Sequence, residues 1–412
     1  MDRARATGTI ELRGAATVAA SGTTRAPLRI RDGRVAAAPG ADAPRIDLAG
    51  HVALPGLVNA HDHLHVNAVP PLPSRTPFPN SYAWIEAFGA HFAEPAVAAA
   101  LAVPKDVRLR HGALKNLLAG TTCVAHHDPW HPVFDAPDFP VEVVHDYGWA
   151  YSPGWPGYGP DLRGSFLDTP AWRPWMIHLA EGTDAVAAAE FAALDALGCV
   201  APNSVLVHGV GMAGEDVARA IARGAAVVWC PSSNLALLGA TLDPRPLHAA
   251  GRLALGTDSR LSGARDLLDE IRGALAHGAL DAAALLDLAT AAAARILRMP
   301  GHGGLAAGDR ADLVVVRDDR GTGAEALAGL RRSQLRAVVR DGLPCIADPD
   351  FADWFALAGV EAVPAMLDGT PKLLARWLAD PAVVSLEPGL DLAIATRDAE
   401  PARARAVAAG SH

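Results

Sequence analysis

The sequence has few cysteines and lacks a long apolar run. Its four cysteines lie far apart and form no CxxC pair, so we expect neither a disulfide framework nor a cysteine zinc site. No apolar run reaches the ~18 residues needed to cross a bilayer, which argues against a membrane protein. The polar N-terminus also lacks the apolar stretch of a secretory signal. These absences predict a soluble, cytoplasmic protein.

An excess of basic residues is absent too. The 36 Lys and Arg residues are outnumbered by 45 Asp and Glu residues, which gives a formal net charge of −9. Because no surplus of positive charge could neutralise phosphates, we expect no nucleic-acid partner. Hydrophobic residues make up 50% of the chain and charged residues 20%, which excludes a disordered protein. The 412 residues suffice for one large domain and one smaller domain.

Short apolar segments alternate with Ala/Leu-rich helical segments through the middle of the chain. Examples are the apolar runs at 121–125, 204–207 and 226–229, each of which is followed by polar residues. Alternating strands and helices are typical of a parallel sheet. A (β/α)8 barrel carries its functional residues at the carboxyl ends of such strands. We therefore predict an α/β fold with a (β/α)8 TIM-like barrel over residues 54–304.

The barrel is expected to be irregular in one place. The stretch between His127 and His178 is short for the strands and helices that a barrel needs there. We therefore predict a distortion around residues 130–175, with one helix missing or replaced by a loop.

Strand-like sequence occurs on both sides of the predicted barrel. Residues 1–53 and 305–350 alternate apolar and polar side chains and predict one small β-sandwich domain, built from both chain ends. Residues 351–412 are rich in Ala and Leu and predict a helical C-terminal extension of unknown role. Its last three residues, Gly410-Ser411-His412, are interpreted as a vector-derived remnant.

Histidines and an aspartate follow several of the predicted strands. His61 and His63 flank Asp62 at the end of a buried strand, and alternate residues of a strand point to the same face. An isolated HxH pair is most often not a metal site, but His178, His208 and Asp258 end further strands. Together these side chains offer a nitrogen and oxygen shell suited to Zn²⁺ or Fe²⁺.

The segment Pro55–His65, PGLVNAHDHLH, resembles the signature of the amidohydrolase superfamily. Later elements are similar to its cytosine/guanine deaminase and triazine-chlorohydrolase branch and occur in the same order: HLAE at 178–181, VHG at 207–209, CPSSN at 230–234 and GTD at 256–258. The resemblance implies a barrel hydrolase that acts on carbon–nitrogen bonds other than peptide bonds, and a homo-oligomer (dimer or larger).

The resemblance also implies roles for individual residues. It implies one divalent metal held by His61, His63, His178 and Asp258, and catalytic roles for Glu181 and His208. The chemistry agrees, since a metal-bound hydroxide could attack the substrate while Asp258 acts as general base. His208 would orient the nucleophile and the tetrahedral intermediate, and Glu181 would shuttle a proton to the leaving group.

Lysines are scarce, which bears on the number of metals. Two-metal members of the superfamily commonly use a bridging carboxylated lysine or a glutamate from a middle strand. None of the lysines, Lys105, Lys115 and Lys372, ends a strand between His63 and His178. We therefore predict one metal, most often Zn²⁺ in such a shell, with Fe²⁺ as the alternative.

The substrate-binding candidates are His65, His127, Trp155, Asn234 and Arg260. Each has a structural alternative, and for Arg260 this is an ion pair with Asp266 or Asp269 rather than a grip on a substrate carboxylate. The leading functional hypothesis is deamination of a nitrogen heterocycle or an amidine-like molecule. The alternatives are hydrolysis of a cyclic amide, an imidazolone-type ring or an aryl halide, and a non-catalytic binding protein on the same fold.

Overall fold

The computed structural model describes residues 9–19, 22–37, 43–72 and 76–392. The strands are β1 (Thr9–Arg13), β2 (Ala16–Ala19), β3 (Gly22–Thr24), β4 (Leu28–Arg31), β5 (Arg34–Val35), β6 (Arg45–Asp47), β7 (His51–Pro55), β8 (Leu57–Asp62), β9 (Thr121–His126), β10 (Glu142–Val143), β11 (Gly148–Trp149), β12 (Trp175–Leu179), β13 (Ser204–His208), β14 (Ala226–Trp229), β15 (Leu253–Leu255), β16 (Leu313–Arg317), β17 (Ala337–Arg340), β18 (Leu343–Ala347), β19 (Ala362–Leu367), β20 (Thr370–Ala375) and β21 (Leu390–Leu392).

The helices are α1 (Ser81–His91), α2 (Pro95–Ala102), α3 (Lys105–Leu118), α4 (Leu162–Asp168), α5 (Ala185–Ala196), α6 (Gly214–Arg223), α7 (Pro231–Leu238), α8 (Arg245–Ala249), α9 (Leu267–His277), α10 (Ala282–Leu288), α11 (Ala291–Ile296), α12 (Ala324–Ala328), α13 (Ala352–Leu357) and α14 (Pro381–Val384). Across the described ranges, every helix falls short of the length and apolar character that a membrane crossing requires.

Strands β8 to β15 form two parallel sheets in the middle of the chain. Their strand orders are β10-β9-β8 and β11-β12-β13-β14-β15. Every residue of β8, β12 and β13 is buried, as expected for strands covered on both faces. The amides of Thr257 and Asp258, just after β15, each donate to the carbonyl oxygen of His61 at 3.1 Å. The fold is therefore mixed α/β, and closure of these strands into one (β/α)8 barrel stays a prediction.

The region around 130–175 is irregular, as expected. Strands β10 and β11 have two residues each, lie at the edges of different sheets and are joined by residues 144–147 without a helix.

A glycine separates the first parallel strand from the strand before it. The apolar run of 52–60 forms parts of two strands, β7 and β8, which meet at Gly56. A Cβ on Gly56 would lie 2.4 Å from the hydroxyl oxygen of Thr122, so only glycine fits at this crossing.

Strands from both chain ends share one sheet. The nine-stranded sheet has the order β21-β19-β20-β18-β17-β16-β7-β2-β3, and β16 pairs antiparallel with β7 along its full length. A separate four-stranded sheet has the order β5-β4-β1-β6. The predicted sandwich and its boundaries, 1–53 with 305–350, stay predictions.

The prediction of a helical segment over 351–412 is wrong for its described part. Residues 351–392 contain the short helices α13 and α14, a 3-10 helix at Arg376–Leu378 and three strands of the nine-stranded sheet. The reason is the Asp368-Gly369 turn, at which both residues have positive φ and join β19 to β20 as a tight hairpin. Residues 393–412, including the interpreted remnant, lie outside the described residues.

Candidate active site

The ends of three parallel strands, β8, β12 and β15, bring the predicted metal ligands together. The ring centroid of His61 lies 4.9 Å from that of His63 and 5.0 Å from that of His178. The Asp258 Oδ1 atom is 3.9 Å from the Nε2 atoms of both His61 and His63. The two residue groups His61/His63/Asp258 and His61/His127/His178 therefore each offer closely spaced ligand atoms.

The hydrogen bonds of His63 and His178 determine which of their ring nitrogens could bind a metal. His63 Nδ1 lies 2.6 Å from Asp128 Oδ2, and His178 Nδ1 lies 2.7 Å from the carbonyl oxygen of Tyr151. Because both partners are acceptors, each Nδ1 donates, and in the neutral rings each Nε2 carries a lone pair. These two Nε2 atoms are only 3.2 Å apart. Two nitrogens bound tetrahedrally to zinc would lie about 3.3 Å apart, so this pair fits a metal.

His61 supplies a second indication of a bound cation. Its side chain is fully buried, and neither ring nitrogen has a hydrogen-bond partner among the described residues. Burial, followed by the charges of His63 and the other nearby histidines, holds the pKa of His61 well below its usual value. A neutral, unpartnered imidazole facing other nitrogens is unfavourable unless it binds a ligand.

A proton competes for the same position in the metal-free protein. Burial lowers the pKa of His63, but the Asp128 carboxylate outweighs this effect and the pKa rises to about 9. A proton on Nε2 of His63 would then lie between the two facing nitrogens and donate a hydrogen bond to Nε2 of His178. Metal binding at this site must therefore displace that proton.

Asp258 is held as a carboxylate among donors. Its Oδ2 accepts hydrogen bonds from the hydroxyls of Ser233 at 2.7 Å and Ser262 at 2.6 Å, and its Oδ1 accepts one from the amide of Ser259 at 2.7 Å. Burial acts to raise the pKa of Asp258, but His63, His208 and the two serine hydroxyls outweigh it and lower the pKa. Asp258 is thus ionised at neutral pH, as a metal ligand or a base must be.

Glu181 and His208 form a second pair beside Asp258. Glu181 Oε1 lies 3.4 Å from His208 Nε2, and His208 Nδ1 lies 2.8 Å from Asn234 Oδ1. Burial raises the pKa of Glu181 more than the neighbouring His208 lowers it. A carboxyl with a raised pKa, 12% exposed at the cavity wall, is suited to carrying a proton near neutral pH.

Backbone strain is concentrated at the same strand ends. Ala180, His208 and Asp258 have φ of 51°, 75° and 55°, values that residues other than glycine rarely adopt. Such conformations cost of order 1–3 kcal/mol each and persist where the surrounding structure enforces them. They support a functional role for this edge of the sheets.

Of the other predicted substrate-binding residues, two line the cavity and two lie behind its wall. His65 and Trp155 line the cavity, with His65 Nδ1 3.4 Å from Asp128 Oδ2. His127 and Asn234 are buried behind it, since His127 stacks on His178 with centroids 4.2 Å apart and Asn234 accepts from His208.

The expectation for Arg260 is wrong. Its guanidinium donates to the two carboxylate oxygens of Glu387 at 3.0 and 3.2 Å, and it does not line the cavity. The alternative pairing with Asp266 or Asp269 is wrong as well, because Arg265 lies against both of those carboxylates. No local sequence pattern indicates Glu387 as the partner, because it lies 127 positions away along the chain.

Sequence reasoning missed Asp128, which holds His63 in place. Asp128 also accepts a hydrogen bond from the hydroxyl of Tyr158 at 2.6 Å. A signal was present in the sequence, since Asp128 is the second residue after the end of β9 and lies beside the predicted contact His127.

A cavity of about 280 Å³ opens above these groups. Aromatic side chains form much of its wall, and its described charged residues include three carboxylates but no lysine or arginine. The aromatic members are Trp84, Phe88, Phe92, Tyr151, Trp155 and Tyr158, and the carboxylates are Asp128, Glu181 and Asp258.

Comparison with known proteins gives local sequence matches. Residues 173–343 match the amidohydrolase family. The chain is 48% identical to an aminodeoxyfutalosine deaminase from Deinococcus radiodurans over 71 residues, which is 17% of each protein. It is 33% identical to an 8-oxoguanine deaminase from Pseudomonas aeruginosa over 135 residues, 31% of this chain and 30% of that one. These matches therefore span at most about a third of either relative's own length.

Solved structures match over most of the chain. A zinc-bound adenosine deaminase from Xanthomonas campestris has a TM-score of 0.65 at 22% identity, covering 86% of this chain and 97% of that one. A zinc complex of atrazine chlorohydrolase from Arthrobacter aurescens has a TM-score of 0.66 at 21% identity, covering 85% and 100%. At these identities the likeness concerns the fold. Together with the family match over residues 173–343, it confirms the resemblance seen in the sequence.

Proposed function

We propose that the chain is a mononuclear metal-dependent aminohydrolase, which deaminates a nitrogen heterocycle or an amidine-like small molecule. The observation that carries the proposal is the pair of facing Nε2 atoms of His63 and His178, 3.2 Å apart. With His61 and Asp258 they would hold one divalent ion, Zn²⁺ by preference and Fe²⁺ as the alternative. Lys115 supports a single ion, because its ammonium donates to Asp62 at 3.0 Å and to Asn67 and is not a free ligand.

The side chains around this position can perform each proton transfer. When bound, the ion lowers the pKa of a coordinated water towards neutrality. Asp258 takes one proton of the attacking water, and Glu181 delivers its proton to the ring nitrogen. Glu181 then takes the proton of the hydroxyl that has bonded to carbon and passes it to the departing amine. Asp258 finally returns its proton to Glu181 through solvent, so that both carboxyls regain their starting state. His208, held by Asn234, orients the oxygen that becomes bonded to carbon. A C–O bond forms, the C–N bond breaks and ammonia leaves.

The cavity wall indicates the class of substrate. Aromatic rings suit a planar ring system, and a volume of about 280 Å³ suits a molecule of one or two fused rings. The described lining offers carboxylates and no lysine or arginine, and Arg260 is already paired with Glu387. We therefore propose a neutral or cationic heterocycle without a carboxylate or phosphate group.

The architecture supports the same proposal. We propose that β8 to β15 form one (β/α)8 barrel over 54–304, because they run parallel in consecutive order and the end of β15 bonds to β8 through His61. We further propose that 1–53 and 305–350 belong to one small β domain, joined by the pairing of β16 with β7. The expected cytoplasmic location and homo-oligomer stay predictions.

The test is a screen of aminated purines, pyrimidines and triazines with the metal-loaded enzyme. Ammonia is measured by a coupled glutamate dehydrogenase assay and substrate loss by ultraviolet absorbance. The proposal predicts one ammonia released for each substrate lost. A carboxylated analogue of the best substrate should have a KM at least tenfold higher. Chloride release or ring opening without ammonia would instead support the alternative hydrolase, and binding without turnover would support a binding protein.

A further inference from the structure

The C-terminal segment reaches the candidate active site through one buried carboxylate. Glu387 follows α14, and its side chain is fully buried. Its oxygens lie against three basic side chains: Arg260 at 3.0 Å, His111 at 2.8 Å and Arg332. Burial alone would raise the pKa of Glu387, but the hydrogen bond from His111 and the charges of Arg260 and Arg332 hold it far below its usual value. The segment that the sequence left without a role is therefore tied into the interior.

Arg260 connects this cluster to Asp258. It lies two positions after Asp258, and its backbone amide donates to Asn67 Oδ1 at 2.9 Å. Asn67 in turn donates to Asp62, the residue between the two ligand histidines, at 2.8 Å. Arg260 is thus fixed by its main chain on one side and by Glu387 on the other.

The loop 258–263 holds the Asp258 carboxylate in position. The Ser259 amide and the Ser262 hydroxyl each donate to Asp258, and the Gly263 amide donates to the carbonyl oxygen of Ser259 at 2.7 Å. Leu261 in the same loop forms part of the cavity wall. A shift of Arg260 would therefore move both the proposed base and the wall that contacts substrate.

We propose that Glu387 is a positioning residue, which acts through Arg260 to hold the loop 258–263 and hence the Asp258 carboxylate. Its effect on turnover rests on the function proposed above, whereas its effect on the loop does not. The alternative is that Glu387 only stabilises the fold. Arg332 distinguishes the two, because it also binds Glu387 but pairs on its other side with Asp368, which is not part of the loop 258–263.

The experiment compares Glu387→Gln and Arg260→Gln with Arg332→Lys and Glu361→Gln. Glu361 lies on the same segment in an exposed ion pair with Arg376 and serves as the surface control. Backbone hydrogen exchange in the metal-free proteins reports on the loop, and chelator competition gives the metal dissociation constant. Circular dichroism and thermal melts report on folding and stability.

The proposal predicts at least tenfold faster amide exchange at 259–263 in Glu387→Gln and Arg260→Gln, and unchanged loop exchange in the two control variants. It also predicts about tenfold weaker metal binding and a lower kcat in Glu387→Gln and Arg260→Gln. Arg260→Lys should restore most of each property. Lower melting temperatures with unchanged loop exchange would overturn the proposal. Faster loop exchange in a protein that binds no metal would leave it standing while refuting the proposed function. If Glu387→Gln does not fold, Arg260→Gln carries the test alone.

Discussion

Removing the negative charge of Asp128 should weaken metal binding without unfolding the protein. The Asp128 carboxylate is 2% exposed and lies 2.6 Å from His63 Nδ1. Asp128→Asn keeps an oxygen that can accept from Nδ1, so the change removes mainly the charge. A hydrogen bond to a charged group contributes about 1.5–3 kcal/mol, which corresponds to about 10–100-fold in affinity. Carboxylates that bond to metal-bound histidines have effects of the same size when replaced.

The assay is a zinc titration in competition with a chromophoric chelator. We expect the dissociation constant to rise about 10–100-fold in Asp128→Asn, and by less than tenfold in Tyr158→Phe, which removes only the hydroxyl that donates to Asp128. Asp138→Asn is the matched control, because Asp138 pairs with Arg110 away from the cavity. A dissociation constant for Asp128→Asn within threefold of the parent would refute the inference that Asp128 supports a metal ligand.

Two further predictions concern buried glutamates. Glu181→Gln should lower kcat by about 10²–10⁴-fold and leave the metal content unchanged. The control is Glu190→Gln, which changes a buried carboxyl that accepts hydrogen bonds from Tyr82 and the Ala180 amide and should alter kcat by less than tenfold. Loss of metal from Glu181→Gln would make Glu181 a metal ligand instead. Burial raises the pKa of Glu270 to about 8 from an ordinary 4.5. Between these two pH values the Glu270 carboxyl is protonated in the folded protein but ionised in the unfolded chain. The free energy of unfolding therefore falls as pH rises from about 4.5 to 8. Glu270→Gln should therefore melt like the parent at pH 4.5 but be more stable at pH 9, by the order of a few kcal/mol; parallel melting curves at both pH values would contradict this.

The grouping of the proposed site residues could be predicted because each of them belongs to a local pattern. His61 and His63 alternate along one strand, and His178, His208 and Asp258 each follow a short apolar run. Parallel strands place their carboxyl ends at one edge, so the sequence indicated that these side chains would meet.

The remaining features depend on contacts between distant parts of the chain. Asp128 acts through a partner on a neighbouring strand, and Arg260 meets Glu387 from 127 positions away. No local pattern reports such pairs. The strands of the C-terminal segment were missed for a different reason, because their Ala and Leu content favoured a helix while the Asp368-Gly369 turn favours a hairpin.

The most direct test of the central claim is the metal content of the purified protein. Elemental mass spectrometry would be applied to protein prepared without added metal, alongside the double variant His61→Ala/His178→Ala. The account predicts about one equivalent of zinc or iron per chain in the parent and much less than one in the variant. Two equivalents in the parent would contradict a mononuclear site. No metal, even after reconstitution with zinc or iron, would contradict the proposed function as a whole.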